Sequence, residues 1–412
     1  MIMEQQELIP HLFRTEYRKI VAVLCKTFGI AYLETAEDIA SDTFLQAAET
    51  WSIRGLPPNP VAWLYTVAKN KAKNHLRHEA VFQRKIAPSL RQGDPDPAED
   101  IDLSPGNIAD SQLQMMFVVC APCISVESQV SLALRILCGF GIEEIADAFL
   151  SNKETIAKRL TRAKARLRAE SVPIEVPGEA EIGERLERVL VTLYLLFNEG
   201  YYSSSHDNPL RLDLCQEAMR LTHLLIDNPV TDRPAVNALL SLMSFQASRF
   251  AARTDAEGAA VVYEDQDEAS WDKQLVEQGE YFLNRAAQGE RLSVYHLEAG
   301  IACWHTQKAD SREKWEAILQ LYNQLLVIEY SPVAALNRTY ALSKANGKAE
   351  AIIEAEKLKL SGTLLYHSLL GELYTGVDDI RALGHFETAM GLARRAADKS
   401  SLARKIERLV RC

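Results

Sequence analysis

The chain has 412 residues and a formal charge of −10, from 46 Lys and Arg against 56 Asp and Glu. Its 47% hydrophobic and 25% charged residues are ordinary globular values, which excludes a wholly disordered chain. The length predicts two or three domains. Apolar runs such as residues 189–197 stop well short of the about 18 residues that a membrane span needs. The start, Met1-Ile2-Met3-Glu4-Gln5-Gln6-Glu7, has neither the basic nor the apolar segment of a secretory signal, so the expected location is cytoplasmic, with no membrane partner. Seven scattered cysteines read as reduced, mostly buried thiols rather than a disulfide framework.

Charge is distributed unevenly. Residues 1–171 carry 20 basic and 21 acidic side chains, and residues 172–412 carry 26 and 35, so the back half holds −9 of the total. Within the front, residues 69–85 hold six bases against Glu79, and residues 153–168 hold seven against Glu154. Between these segments, residues 92–110 hold six acids, three prolines and no base. Two basic segments joined by an acidic, proline-bearing strap suggest contacts with a polyanion at two places.

In chain order, every element reads as helix, and the expected fold class is all-α. Leu12, Phe13, Tyr17, Ile20, Val21, Leu24 and Phe28 recur at helical spacing. Leu33, Ala36, Ile39, Ala40, Phe44, Ala47 and Trp51 form a second stripe. Gly55-Leu56-Pro57-Pro58-Asn59-Pro60 breaks the pattern. A third helix then starts near Val61 with Trp63, Leu64, Val67 and Leu76. The expected domains are a helical bundle over 1–90, an extended acidic linker over 91–112, a second helical segment over 113–171, and a helical region over 172–412 set off by Pro173 and Pro177-Gly178.

The sharpest local pattern lies in residues 142–168. Ile142 to Phe149 reads as a short amphipathic helix, Leu150-Ser151 as a turn, and Ser151-Asn152-Lys153-Glu154 as a capping box opening a second helix. That helix gathers Ile156, Leu160, Ala163 and Leu167 on one face, and turns Glu154, Lys158, Thr161, Arg162 and Ala165 outward. Arg159, Lys164, Arg166 and Arg168 flank them. This geometry suits a helix-turn-helix whose second helix enters a major groove, with bases read by its first turns and phosphates held along its flanks. The alternative is a solvated basic face.

The third helix interleaves Trp63 and Tyr65 with Lys69, Asn70, Lys71, Lys73, Asn74 and Arg77. Lys69, Lys73 and Arg77 recur every four residues, a stripe suited to tracking phosphates, while aromatic faces and amides suit unstacked bases. Trp63 and Leu64 equally suit a core. The loop over 49–60 can form a pocket for a flipped base.

These residues carry a resemblance. Ala36-Glu37-Asp38 with Asp42, Phe44 and Trp51, then Pro60-x-Ala62-Trp63-Leu64 and Ala68-x-Asn70, resemble region 2 of a sigma-70-type factor of the extracytoplasmic-function group. Glu144-Ile145-Ala146 and Thr155-Ile156-x-Lys158-Arg159-Leu160-x-Arg162-Ala163 resemble region 4 of that group. The resemblance covers residues 1–171 in order, with the acidic strap similar to the linker between the two regions. Phe197-Asn198-Glu199-Gly200-Tyr201, Glu264-Asp265-Gln266-Asp267 with Trp271, and Ser331-Pro332-Val333 with Leu336-Asn337-Arg338 resemble the tetratricopeptide-type extension of one sigma subfamily. Asn74 departs from that family, which usually has an acid there, so a different promoter preference is expected.

The resemblance implies a non-enzymatic sigma factor that directs core RNA polymerase to promoter DNA. It places Asp38, Asp42 and Phe44 at the polymerase contact. It places Trp63, Lys69, Asn70, Lys73, Asn74 and Arg77 at the −10 element, and Lys153, Glu154, Thr155, Lys158, Arg159 and Arg162 at the −35 element. No motif points to a cofactor or a metal, and the fused extension suggests control of the front in cis, through intramolecular docking or by competing for its cations. A plain helix-turn-helix regulator with a peptide-binding solenoid is the alternative, and residues 36–77 argue against it.

Towards the end of the chain Leu336 and Leu370, Tyr340 and Tyr374, and Ala355 and Ala389 are each 34 apart, the tetratricopeptide period. Cys120-Ala121-Pro122-Cys123 has no second pair at zinc-site spacing, and His296 and His305 form no HExxH. Residues 264–267 suit either a cation or a helix cap.

Overall fold

The computed structural model describes residues 5–86, 101–149, 151–201, 211–253, 261, 263–393 and 396–411. Among these residues there are helices and no strands, and no helix is long and apolar enough to cross a membrane. Residues 91–100, most of the expected linker, lie outside the described residues, as does Leu150 of the expected turn. The chain gathers into two compact units, 1–205 with 211–231, and 206–210 with 232–412.

Unit 1 begins with α1 (Gln5–Phe28), α2 (Leu33–Arg54) and α3 (Pro60–Ile86). Leu33, Ala36, Ile39, Ala40, Phe44, Ala47 and Trp51 of α2 are all buried, as are Tyr17, Ile20, Val21 and Leu24 of α1. Next come α4 (Pro105–Val119), α5 (Val126–Leu132) with a π-helical turn to Leu137, α6 (Ile142–Ala148) and α7 (Lys153–Ala169). α1 packs on α2 and on α4, so the apolar stripe of the first helix is shared between the front bundle and the second helical segment. The expected extended linker is corrected at its end. Pro105 opens α4, and Ile101, Ile108, Ser111 and Gln112 are buried, because proline suits the first helical position and this stretch supplies apolar groups that the acidic part lacks.

Unit 1 also takes α8 (Ile182–Tyr201) and α9 (Leu212–Ile226). Gly200 lets α9 approach: a Cβ there would stand 2.7 Å from both the Arg211 carbonyl oxygen and Cys215 Sγ. Thr192 donates to Gln129 Oε1 (3.3 Å), Arg185 to the Phe117 carbonyl (2.8 Å) and Arg220 to the Leu137 carbonyl (2.9 Å). Cys25, Cys120, Cys138 and Cys215 are buried in this unit, and burial pushes the first three thiols up, Cys120 to about 12.

Unit 2 holds α10 (Pro234–Ala247), α11 (Lys273–Ala286), α12 (Val294–Trp304), α13 (Arg312–Ile328), α14 (Pro332–Asn346), α15 (Lys348–Lys357), α16 (Leu364–Tyr374), α17 (Asp379–Leu392) and α18 (Ala396–Arg411). Most pack chiefly on their neighbours in sequence, while α12 also packs closely on α10. Short polar residues start the helices: Asp272 accepts from Gln274 and Leu275 N–H, Ser311 from Lys314 N–H, and Asp378 from Arg381 N–H. Leu336, Trp315, Ile318, Leu342, Leu370 and Tyr374 share one core, and Phe386, Ala389 and Leu402 another.

The motif near residue 265 is a clasp within this unit. Asp267 caps the short 3₁₀ turn Glu268–Ser270, accepting from Ala269 N–H at 3.0 Å. Lys308 donates to the Gln266 carbonyl, and Lys314, 2% exposed, donates to Tyr263 Oη at 3.1 Å and to the Gln307 carbonyl. Burial, then Arg249 and Lys314, push the His305 imidazole down to about 3, so it is neutral. His296 holds the start of α12, its Nδ1 2.8 Å from Ser293 Oγ.

Candidate nucleic-acid interface

α7 is set by its buried stripe. Ile156, Leu160, Ala163 and Leu167 are at most 4% exposed, and α6 and α5 pack against it. Its cap differs from expectation: Asn152, not Ser151, accepts from Thr155 N–H at 2.7 Å, because α7 starts at Lys153 and Asn152 is the residue directly before it. Glu154 does not reach back to the cap, but pairs with Lys158 at 2.6 Å. The reach-back sits one helix earlier, where Glu144 accepts from Gly141 N–H at 2.7 Å.

Lys153, Glu154, Thr155, Lys158 and Arg162 are exposed, and Arg159 is half-buried over the Phe149 ring at 5.8 Å. Lys153 reaches Glu143 at 2.5 Å and holds that carboxyl below its usual range. A cavity of about 420 Å³ lies along this half of the helix, lined by Thr155, Lys158, Arg159, Arg162 and Ser128. Ser128 comes from α5, and the pattern around it shows only the start of a helix; its place beside α7 is set by packing.

The second half of α7 is engaged differently. Lys164 pairs with Glu37 and Arg168 with both oxygens of Glu34, at 2.7 and 3.1 Å. These flanking cations, expected to face phosphate, face α2 instead. Only Arg166 of the three points outward, with Glu170 at 2.9 Å.

On α3, Asn59 caps the start by accepting from Ala62 N–H at 3.0 Å. Trp63 is half-buried, edge-on to the buried Trp51 at 5.3 Å, and is a packing residue with one side outward. Lys69 and Lys73 are half-buried, and Asn70, Asn74 and Arg77 are exposed, giving one cationic ridge edged with amides. Tyr65 donates to Glu16 at 2.5 Å, and burial followed by Glu16 pushes its hydroxyl up. A cavity of about 360 Å³ separates Tyr65, Thr66 and Lys69 from residues 101–104. The strap's end lines this cavity, where the loop over 49–60 was expected to form a pocket. Asp102 at its rim is held below the carboxylate range by the backbone N–H and hydroxyl of Ser104, then by Lys69 and Lys26.

On α2, Asp38 and Asp42 are exposed. Phe44 is corrected to a core residue, 4% exposed and edge-on to Phe13 at 5.1 Å, since it shares the buried stripe. Leu45 and Ile53, 60% and 85% exposed, share the outward face with the two acids. Being large apolar residues off the buried stripe, they were findable in the sequence and were missed. Cys120 ends α4 with Cys123 close behind, and no cluster of three or more ligating side chains forms among the described residues.

Residues 12–81 match the sigma-70 region 2 family, and residues 185–287 match a family of unknown function, DUF6596. The second match runs from α8 through α11 and so draws on both units. No solved structure matches the chain. An uncharacterized protein of Rhizobium meliloti (strain 1021) is 33% identical over 385 residues, covering 92% of this chain and 90% of the relative. The chain therefore belongs to the family of that protein, and its front carries a sigma-70 region 2 domain.

Proposed function

We propose that the chain is a sigma factor, a dissociable, non-catalytic subunit that brings core RNA polymerase to promoters. The observation that carries the reading is the region 2 match over residues 12–81 together with the cationic ridge that α3 presents within it. In this reading Asp38 and Asp42, joined by Leu45 and Ile53, face the polymerase. Lys69, Asn70, Lys73, Asn74 and Arg77, beside Trp63, hold the opened −10 strand. Capturing unstacked bases offsets an unpairing cost of about a few kcal/mol, so no catalytic residue is needed. α6 and α7 act as a helix-turn-helix on the −35 element through Lys153, Glu154, Thr155, Lys158, Arg159 and Arg162. The helices after residue 172 serve as a tetratricopeptide-like extension that modulates the front in cis, and the working location is the cytoplasm.

Run-off transcription with purified core polymerase, with and without the full chain, tests the reading, and initiation that is indifferent to the chain overturns it. Lys158→Ala is expected to cost about 1–3 kcal/mol on the preferred −35 duplex and less on a scrambled one. Equal losses on both would remove the base-reading role.

A further inference from the structure

Within unit 1, two acids on α2 hold the cations of the second half of α7. Glu34 takes Arg168 with both oxygens, and the buried Glu37 takes Lys164 and, at 3.4 Å, Arg135. Glu34 and Glu37 are three residues apart, so they share a face of α2. They present two anionic groups to two cations on one flank of a helix, as successive phosphates of a DNA backbone would. Arg14 adds a pair with Glu144 at 2.6 Å, tying α1 to α6. Helices α8 and α9 brace α1, α4 and the π-helical turn beside it. Glu217 of α9 takes both Arg18 of α1 and Arg220, which also bonds the Leu137 carbonyl, and Arg185 of α8 bonds the Phe117 carbonyl.

We propose that this arrangement is a latch. Glu34 and Glu37 stand in for promoter phosphates on α7 until duplex DNA displaces the two carboxylates. The proposal rests on the reading of α7 as a DNA-binding helix. The burial of Glu37 makes release cooperative: once Lys164 leaves, a carboxylate 6% exposed keeps Arg135 at 3.4 Å as its remaining cation, so α2 and α7 must part and let water in. Parting turns Lys164 and Arg168 outward beside Lys158 and Arg162, and the DNA-binding surface grows by two cations. Closed, the helix offers its first half and Arg166.

The test uses the full chain. Glu34 is about half-exposed, so Glu34→Gln frees Arg168 without emptying the core. Binding to a preferred and a scrambled duplex is titrated across a salt series. Glu34→Gln is expected to bind both duplexes about 3- to 10-fold more tightly at low salt, with the slope of log affinity against log salt steeper by about 0.9, one added phosphate contact. Adding Arg168→Gln to that variant should return the slope to the wild-type value. A dye pair at Gln46→Cys on α2 and Thr161→Cys on α7 reads the parting directly, and their separation should lengthen when duplex is added. An unchanged slope in Glu34→Gln, or a separation that stays constant as duplex binds, overturns the latch while leaving DNA binding standing. If neither wild type nor the variants bind any duplex or core polymerase, the sigma reading fails and the latch falls with it.

Discussion

Unit 1 and unit 2 use charge in opposite ways. Besides local pairs such as Lys158 to Glu154, unit 1 has ion pairs that join residues far apart in sequence: Arg14 to Glu144, Lys164 to Glu37, Arg168 to Glu34 and Arg18 to Glu217 lie 127 to 199 positions apart. In unit 2 the pairs join near neighbours, with Lys344 to Asp310 34 apart and Arg285 to Asp232 53 apart. From α12 onward the helices of unit 2 pack mainly on their neighbours in sequence, so the stability of that part is close to a sum of local terms. Unit 1 must close long loops before its pairs form, which costs entropy first and returns stability late. Its charges therefore specify which distant segments meet. Those of unit 2 finish contacts that sequence neighbours already make.

Four measurements sharpen or break this contrast. The largest effect is expected from Glu37→Ala. It leaves Lys164 and Arg135, 14% and 19% exposed, facing each other without their shared carboxylate, at a cost of about 3 kcal/mol in chemical unfolding. A loss under about 1 kcal/mol would make the buried network dispensable. Gly371→Ala comes next, in unit 2. The added Cβ would lie 2.5 Å from the Phe386 ring, so a cost of about 2 kcal/mol is expected despite alanine's better helix propensity. The damage should stay with α16 and α17, as read by hydrogen exchange, and spreading to α12 would contradict a sum of local terms.

Acid separates the units by a third route. His305 titrates near 6.5 unfolded and about 3 folded, so the stability it contributes is fully present above about pH 6.5 and drains as pH falls towards 3. By pH 5 unit 2 should have lost about 2 kcal/mol on this account. The fluorescence of Trp271, Trp304 and Trp315 follows it, and His305→Gln should flatten the dependence. The smallest effect is expected from Lys153→Ala. Its pair with Glu143 is 65% and 73% exposed, and its loss should change unfolding by less than about 0.5 kcal/mol. A larger loss would give exposed pairs in unit 1 a weight here reserved for the buried ones.

The sequence foretold what depends on period. All seven positions of the α2 stripe and all four of the α7 stripe are buried, since a one-sided apolar pattern has a single way to leave water. The cationic ridge of α3 was legible for the same reason. What stayed hidden was pairing across distance. Nothing local to Lys164 or Arg168 distinguishes them from Arg162, and their partners lie more than 120 positions away. The cap of α7 was misplaced by one residue because Ser151 and Asn152 are both good caps and nothing in the pattern fixes at which of the two the helix begins. Ser128 joins the α7 cavity through the packing of α5, and residues 263–271 became a clasp through Lys308 and Lys314, more than 40 positions on.

The buried thiols give unit 1 a built-in clock. Cys25, Cys120 and Cys138 sit in the core that α1 shares with the second helical segment, with their thiols pushed up by burial. A thiol reagent attacks the thiolate, so none of the three should react at neutral pH while the core is closed. The rate at which each is modified then counts openings of its own neighbourhood, with no label added. Cys25 on α1 and Cys138 beyond the π-helical turn come from distant parts of the chain, so matching rates would mean that those parts separate in one event, and different rates would mean that one peels away first.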